Sequence, residues 1–154
     1  MGNAAPVVLV VMGSKSDMPV MEKAVKQLDE FGIASEVVVT SAHRAPDRTA
    51  QIAREAEARG IKVIIAGAGM AAALPGVMAA YSARPVIGVP CASGALNGLD
   101  ALYAISQMPP GVPVACVGID GAKNAAILAA QIIAVGDPDV AARVREFRAR
   151  QAAG

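Results

Sequence analysis

The chain has 154 residues, 55% hydrophobic and 18% charged, with 14 Lys and Arg against 13 Asp and Glu. That length supports a real core in one domain, residues 1–154, and the net charge of +1 gives no electrostatic reason to expect nucleic acid or an anionic membrane as partner. One histidine and two isolated cysteines, Cys91 and Cys116, supply neither a metal-ligand set nor a disulfide frame, so no metal is expected.

The opening Met1–Pro6 lacks the charged region of a secretory signal and the Ser or Thr of a myristoylation signal. With reduced thiols, this points to a cytoplasmic setting. Pro6–Met12 reads as a first strand, apolar on both faces. Asp17 then offers an N-cap and Pro19 a first-turn proline for an amphipathic helix, Val20–Phe31, which Gly32 ends. Ala34–Thr40 is a second strand, and Pro46 opens a helix through Arg59, closed by Gly60.

Ile61–Ala66 is a third strand, followed by a glycine-rich turn and a helix near Gly76–Ser82. Pro85–Val89 is a fourth strand. A loop with Ser93, Gly94 and Asn97 leads to a helix over Leu99–Gln107, which Pro109-Pro110-Gly111 stops. Val112–Val117 is a fifth strand, Ala122–Val135 a helix, and Asp139–Gln151 a charged amphipathic end. Short apolar strands alternating with helices specify βαβ units. Right-handed crossovers then give an α/β fold, a three-layer doubly wound parallel sheet.

Charge is unevenly spread. Between Val63 and Ile119 only Arg84 and Asp100 are charged. Val63–Ala83 has the length of a membrane span, but Gly67, Gly69, Pro75 and Gly76 break it into strand, loop and helix. So much apolar chain in a small domain is expected to be buried between copies, as a homo-oligomer.

Three loops carry the chemistry, each after a predicted strand, where α/β folds place their ligands. In Gly13-Ser14-Lys15-Ser16-Asp17, small residues let backbone N–H groups approach an anion, hydroxyls add donors, and Asp17 can accept from a ribose hydroxyl. The alternative is an ordinary turn with a capping side chain. In Ser41-Ala42-His43-Arg44, Arg44 can clamp a phosphate, and His43 is the chain's only imidazole, hence its first candidate for proton transfer near neutral pH. The alternative there is a capping histidine beside a surface arginine. In Ala66-Gly67-Ala68-Gly69, the glycines suit a close backbone wall over a flat ligand, or tight packing of helix on strand. The dinucleotide fingerprint fits poorly, because Leu74-Pro75-Gly76 breaks the helix early and no acidic residue follows at the required offset.

In order and spacing these loops resemble the PurE family of purine biosynthesis. Gly88-Val89-Pro90, Leu99-Asp100-Ala101-Leu102-Tyr103, Gln107-Met108-Pro109 and Lys123-Asn124-Ala125-Ala126 are similar to its later landmarks. The resemblance implies flavodoxin-like subunits in a homo-octamer, with a ribonucleotide substrate and no cofactor. It implies an isomerase that converts 5-(carboxyamino)imidazole ribonucleotide to 5-amino-1-(5-phosphoribosyl)imidazole-4-carboxylate. Carried over by position, Ser14, Ser16 and Arg44 hold the phosphate and Asp17 the ribose, with Gly13 a further substrate-binding position. His43 and Ser41 lie beside the reacting imidazole, and Gly67, Ala68 and Gly69 cover the base.

The chain departs from the family in its third loop. Met70 stands where the bacterial mutases usually have glycine, and Ala73 where they have a second histidine. A sister branch carboxylates aminoimidazole ribonucleotide directly, typically with lysine after the histidine and a Gly-Arg-Ser-Asn-type third loop. Arg44 and Ala66–Gly69 fit the mutase branch. Direct carboxylation is the alternative, and a non-catalytic ribonucleotide-binding relative the second alternative.

Overall fold

The computed structural model describes residues 4–154. Met1, Gly2 and Asn3, part of the stretch read for a targeting signal, lie outside the described residues. Five strands, β1 (Val8–Met12), β2 (Ser35–Val39), β3 (Val63–Ala68), β4 (Val86–Pro90) and β5 (Ala115–Cys116), form one parallel sheet in the order β2-β1-β3-β4-β5. Six helices accompany them: α1 (Met18–Glu30), α2 (Pro46–Glu55), α3 (Leu74–Tyr81), α4 (Leu99–Ser106), α5 (Ala122–Ala134) and α6 (Pro138–Ala152).

The layers follow from side-chain alternation along the strands. Val8, Val10, Met12, Val63 and Ile65 face one core with α1, α5 and α6. Leu9, Val11, Ile64, Ala66 and Ala68 face another with α2, α3 and α4. Every residue of β1, β3 and β4 is buried, as expected of central strands covered on both faces. The edges differ: β2 is only partly buried, and β5 is two residues long. The charged terminal helix α6 joins the core through Val140, Val144 and Phe147, whose ring meets Phe31 edge-on at 5.3 Å.

Several boundaries differ from the sequence expectation, each for a local reason. Strand β1 starts at Val8 instead of Pro6, which has no N–H for the ladder. Strand β3 lies two residues later than expected. Ile61 N–H is used by the turn, donating to Ala56 O at 2.9 Å, while Gly67 and Ala68 pair with Val89 and Pro90. Helix α2 ends at Glu55, and Ala56–Gly60 winds on as turns to Gly60 at φ +82°. Leu74-Pro75-Gly76 starts α3 and does not break it, because a proline in the first turn has no intrahelical N–H bond to lose. The fifth strand shrinks from Val112–Val117 because Val112 N–H turns back to Pro109 O at 3.2 Å and Pro113 has none.

Candidate active site

The chain runs from β1 outward to β2, then crosses back to β3 on the other side of β1. This reversal leaves a crevice at the carboxyl ends of β1 and β3, because their following segments diverge. There the structure has a cleft of about 550 Å³. It gathers Gly13, Ser14, Ser16 and Asp17 from the first loop, Ser41, Ala42, His43 and Arg44 from the second, and Ala68–Leu74 from the third, with Ser93 beyond β4.

The first loop is held by its own side chains. Ser14 N–H donates to Asp17 Oδ2 at 3.0 Å, and Ser16 N–H donates to Ser14 Oγ at 3.2 Å, a reciprocal capping box on the short 3-10 turn Lys15–Asp17. Ser16 Oγ adds a contact to Ser14 Oγ at 2.9 Å. Asp17 therefore supports Ser14 and makes no side-chain cap on α1, contrary to the expected N-cap. Burial pushes its carboxyl above the ordinary value, while the bond from Ser14 N–H acts the other way.

The second loop is a turn between β2 and α2. Ser41 Oγ accepts from Arg44 N–H at 3.2 Å and Arg44 Nε at 3.4 Å. Its own hydroxyl proton remains available to a ligand. His43 and Arg44 are exposed at the cleft wall. Positive charge, hydroxyl donors and one imidazole thus face the same space.

The third wall is apolar and backbone-rich. Met70 and Ala72 adopt φ +55° and +45°, a left-handed conformation rare for side-chain-bearing residues, and both line the cleft. A Cβ on Gly69 would lie 3.0 Å from Ser93 Cβ and 3.1 Å from Cys91 O, so only glycine lets this loop approach the segment after β4. Gly67 is different. It sits within β3, outside the cleft lining, and a Cβ there would collide with the buried Met21 side chain. Its place in the fold is helix-on-strand packing, with its carbonyl accepting Gly13 N–H at 3.2 Å.

The structure therefore brings nine of the ten expected site residues to one cleft and sets Gly67 behind it. It adds Ala42, the run Met70–Leu74 and Ser93. It also adds Asp120, at φ +57°, which accepts Ala92 N–H at 2.9 Å and so fixes the segment carrying Ser93. Asp120 left no local signal, because its partner lies 28 residues away. Beneath the cleft floor the Cys91 thiol is pushed up to about 12 by burial and then by the carboxylates of Asp17 and Asp120, which keeps it protonated and unreactive. Among the described residues, no group of three or more His, Cys, Asp and Glu is placed to hold a metal. No described helix is long and apolar enough to cross a membrane.

Sheet order and cleft position define a doubly wound α/β protein of the flavodoxin-like type, with its site at the switch point. The chain belongs to the AIR carboxylase family, whose model matches residues 7–153. It is 57% identical to an N5-carboxyaminoimidazole ribonucleotide mutase of Pyrococcus abyssi, over 93% of this chain and 82% of that protein. It is 51% identical to a phosphoribosylaminoimidazole carboxylase of Candida glabrata, over 95% of this chain but 26% of that longer protein. The solved structure of Treponema denticola PurE superposes with a TM-score of 0.87 at 34% identity, covering 96% of this chain and 92% of that one.

Proposed function

We propose that this chain, acting as one domain over residues 1–154, is an isomerase of purine biosynthesis. Its substrate is 5-(carboxyamino)imidazole ribonucleotide and its product 5-amino-1-(5-phosphoribosyl)imidazole-4-carboxylate. The observation that carries the reading is the convergence of His43, Arg44, Ser14, Ser16 and Asp17 on one cleft with an apolar wall. Arg44 and the two serine hydroxyls suit the phosphate. Asp17, an acceptor in a partly buried place, suits the ribose hydroxyls. Ala68, Gly69 and Ala71–Ala73 suit the flat base.

The chemistry asks little else of the protein. The bond from the exocyclic nitrogen to the carboxyl carbon breaks, and the nitrogen takes a proton as CO2 leaves. Carbon 4 of the electron-rich ring then attacks the trapped CO2. That carbon briefly holds both a proton and a carboxylate, and loss of the proton restores aromaticity. His43 gives the first proton and takes the second, so it ends as it began. Ser41, beside it, orients the carboxyl group. The remaining task is to hold CO2 and exclude water, which a wall of alanines does without competing nucleophiles.

The same reading makes the assembly a homo-oligomer, an octamer by family resemblance, in the cytoplasm. The exposure of Tyr81 on α3, Leu99 and Tyr103 on α4, and Leu96 between them supports it.

The deciding experiment follows a carbon-13 carboxyl group on the 4-carboxylate by NMR, with and without unlabelled bicarbonate. Equilibration with the carboxyamino isomer, label retained, is the expected result. His43→Asn should slow it by roughly 10²–10⁴-fold while still binding ribonucleotide. Loss of label to the CO2 pool with formation of aminoimidazole ribonucleotide would establish direct carboxylation, the activity that the name of the Candida relative favours. Binding without conversion would leave a non-catalytic relative.

A further inference from the structure

Only three polar side chains are buried among the described residues, Gln27, Thr40 and Thr49, and two of them meet beneath the turn that carries His43. Thr49 is fully buried and Thr40 is 3% exposed. Their hydroxyl oxygens lie 2.9 Å apart. Thr49 Oγ1 is also 2.9 Å from Ala45 O and 3.4 Å from Ser41 O. A hydroxyl has one proton, so the inventory has one natural solution. Thr49 donates to the Ala45 carbonyl, and Thr40 donates to Thr49.

The pair joins three elements at one point. Thr40 N–H donates to Met12 O at 2.9 Å, which ties it to the end of β1. Thr49 stands in the first turn of α2, with its own N–H on Ala45 O at 3.1 Å. Ala45 N–H closes the turn on Ser41 O at 2.9 Å. Ala45 is thus gripped from below by Thr49, and Ser41 is tied to Ala45, so the two residues that bracket His43 and Arg44 are anchored to the pair through Ala45. An apolar pair would fill the same volume without the desolvation cost of two hydroxyls. The hydroxyls are used where direction matters.

We infer that Thr40 and Thr49 are positioning residues, a buried hydroxyl pair that fixes the Ser41–Ala45 turn and so aims His43 at the reacting carbon. The inference rests on the role proposed for His43. It adds that the aim is set from within the core.

Thr49→Val tests it, because valine keeps the branched shape and loses the hydroxyl. The turnover number should fall roughly tenfold to a hundredfold, KM should stay within about twofold, and Thr49→Ser should restore turnover. The lone histidine also gives a private probe. Its Cε1–H signal should be single and sharp in the wild type and Thr49→Ser, and broadened or split in Thr49→Val. Should Thr49→Val fail to fold, Thr40→Val keeps the bond to Ala45 and should show a smaller change in the same direction. Wild-type turnover together with a wild-type imidazole signal in the folded valine variant would overturn the inference. So would an equal loss in the valine and serine variants. If the wild type fails to convert the ribonucleotide, the functional reading falls, and the imidazole signal alone decides this one.

Discussion

At the residue scale the cleft separates groups that hold from groups that react, and Asp17 shows the difference in energy. Its carboxyl is raised by burial against the opposing bond from Ser14 N–H. A raised carboxyl binds its proton more tightly folded than unfolded. The stability it contributes is whole below its ordinary value of 3.8 and is lost as pH rises through the folded value. At neutral pH the ionised group is a net cost. Asp17→Asn, which can still accept from Ser14, should therefore raise the melting temperature at pH 7 by roughly one to three degrees, show no gain at pH 3, and weaken ribonucleotide binding. A lower melting temperature at pH 7 would mean that the Ser14 bond outweighs burial. The polar members of the site were legible in sequence because His43, Arg44 and Asp17 stand in short runs of small and polar residues between apolar ones. Ser93 and Asp120 were not, since their meaning depends on which strands become neighbours.

At the element scale, order and type of the strands and helices could be read from alternating apolar runs, while their ends could not. The two-residue shift of β3 has a consequence: it moves Gly67 from loop to strand and from ligand wall to packing contact. Gly88 in β4 is its counterpart on the other face. A Cβ there would collide with Ile105 Cγ2, lie 3.0 Å from Val114 Cγ1 and 3.3 Å from Pro75 Cβ. All three neighbours are branched or cyclic and cannot swing aside. Gly88→Ala should cost about 1–3 kcal/mol in chemical denaturation, with the midpoint reduced and the slope unchanged. A midpoint equal to wild type would show that α4 can shift as a body.

At the scale of the whole molecule, the uncharged half and the exposed aromatic side chains belong together. Tyr81, Leu96, Leu99 and Tyr103, from α3, α4 and the loop before α4, are each more than 40% exposed. Light scattering coupled to size exclusion should give a mass several times the 15.5 kDa of one chain, and a charged residue at Tyr103 should reduce it. A monomer at micromolar concentration would count against the assembly. The cleft itself has a different kind of tolerance. Its four walls are separate loops on a sheet whose central strands admit almost no change, and the third wall turns Met70 and Ala71 outward, away from both cores. Side chains there face the cleft and not the scaffold, whereas a Cβ at Gly67 or Gly88 would run into buried side chains of the core. A change of side chain in one such loop therefore alters what the cleft presents to a ligand while leaving the sheet beneath it as it is.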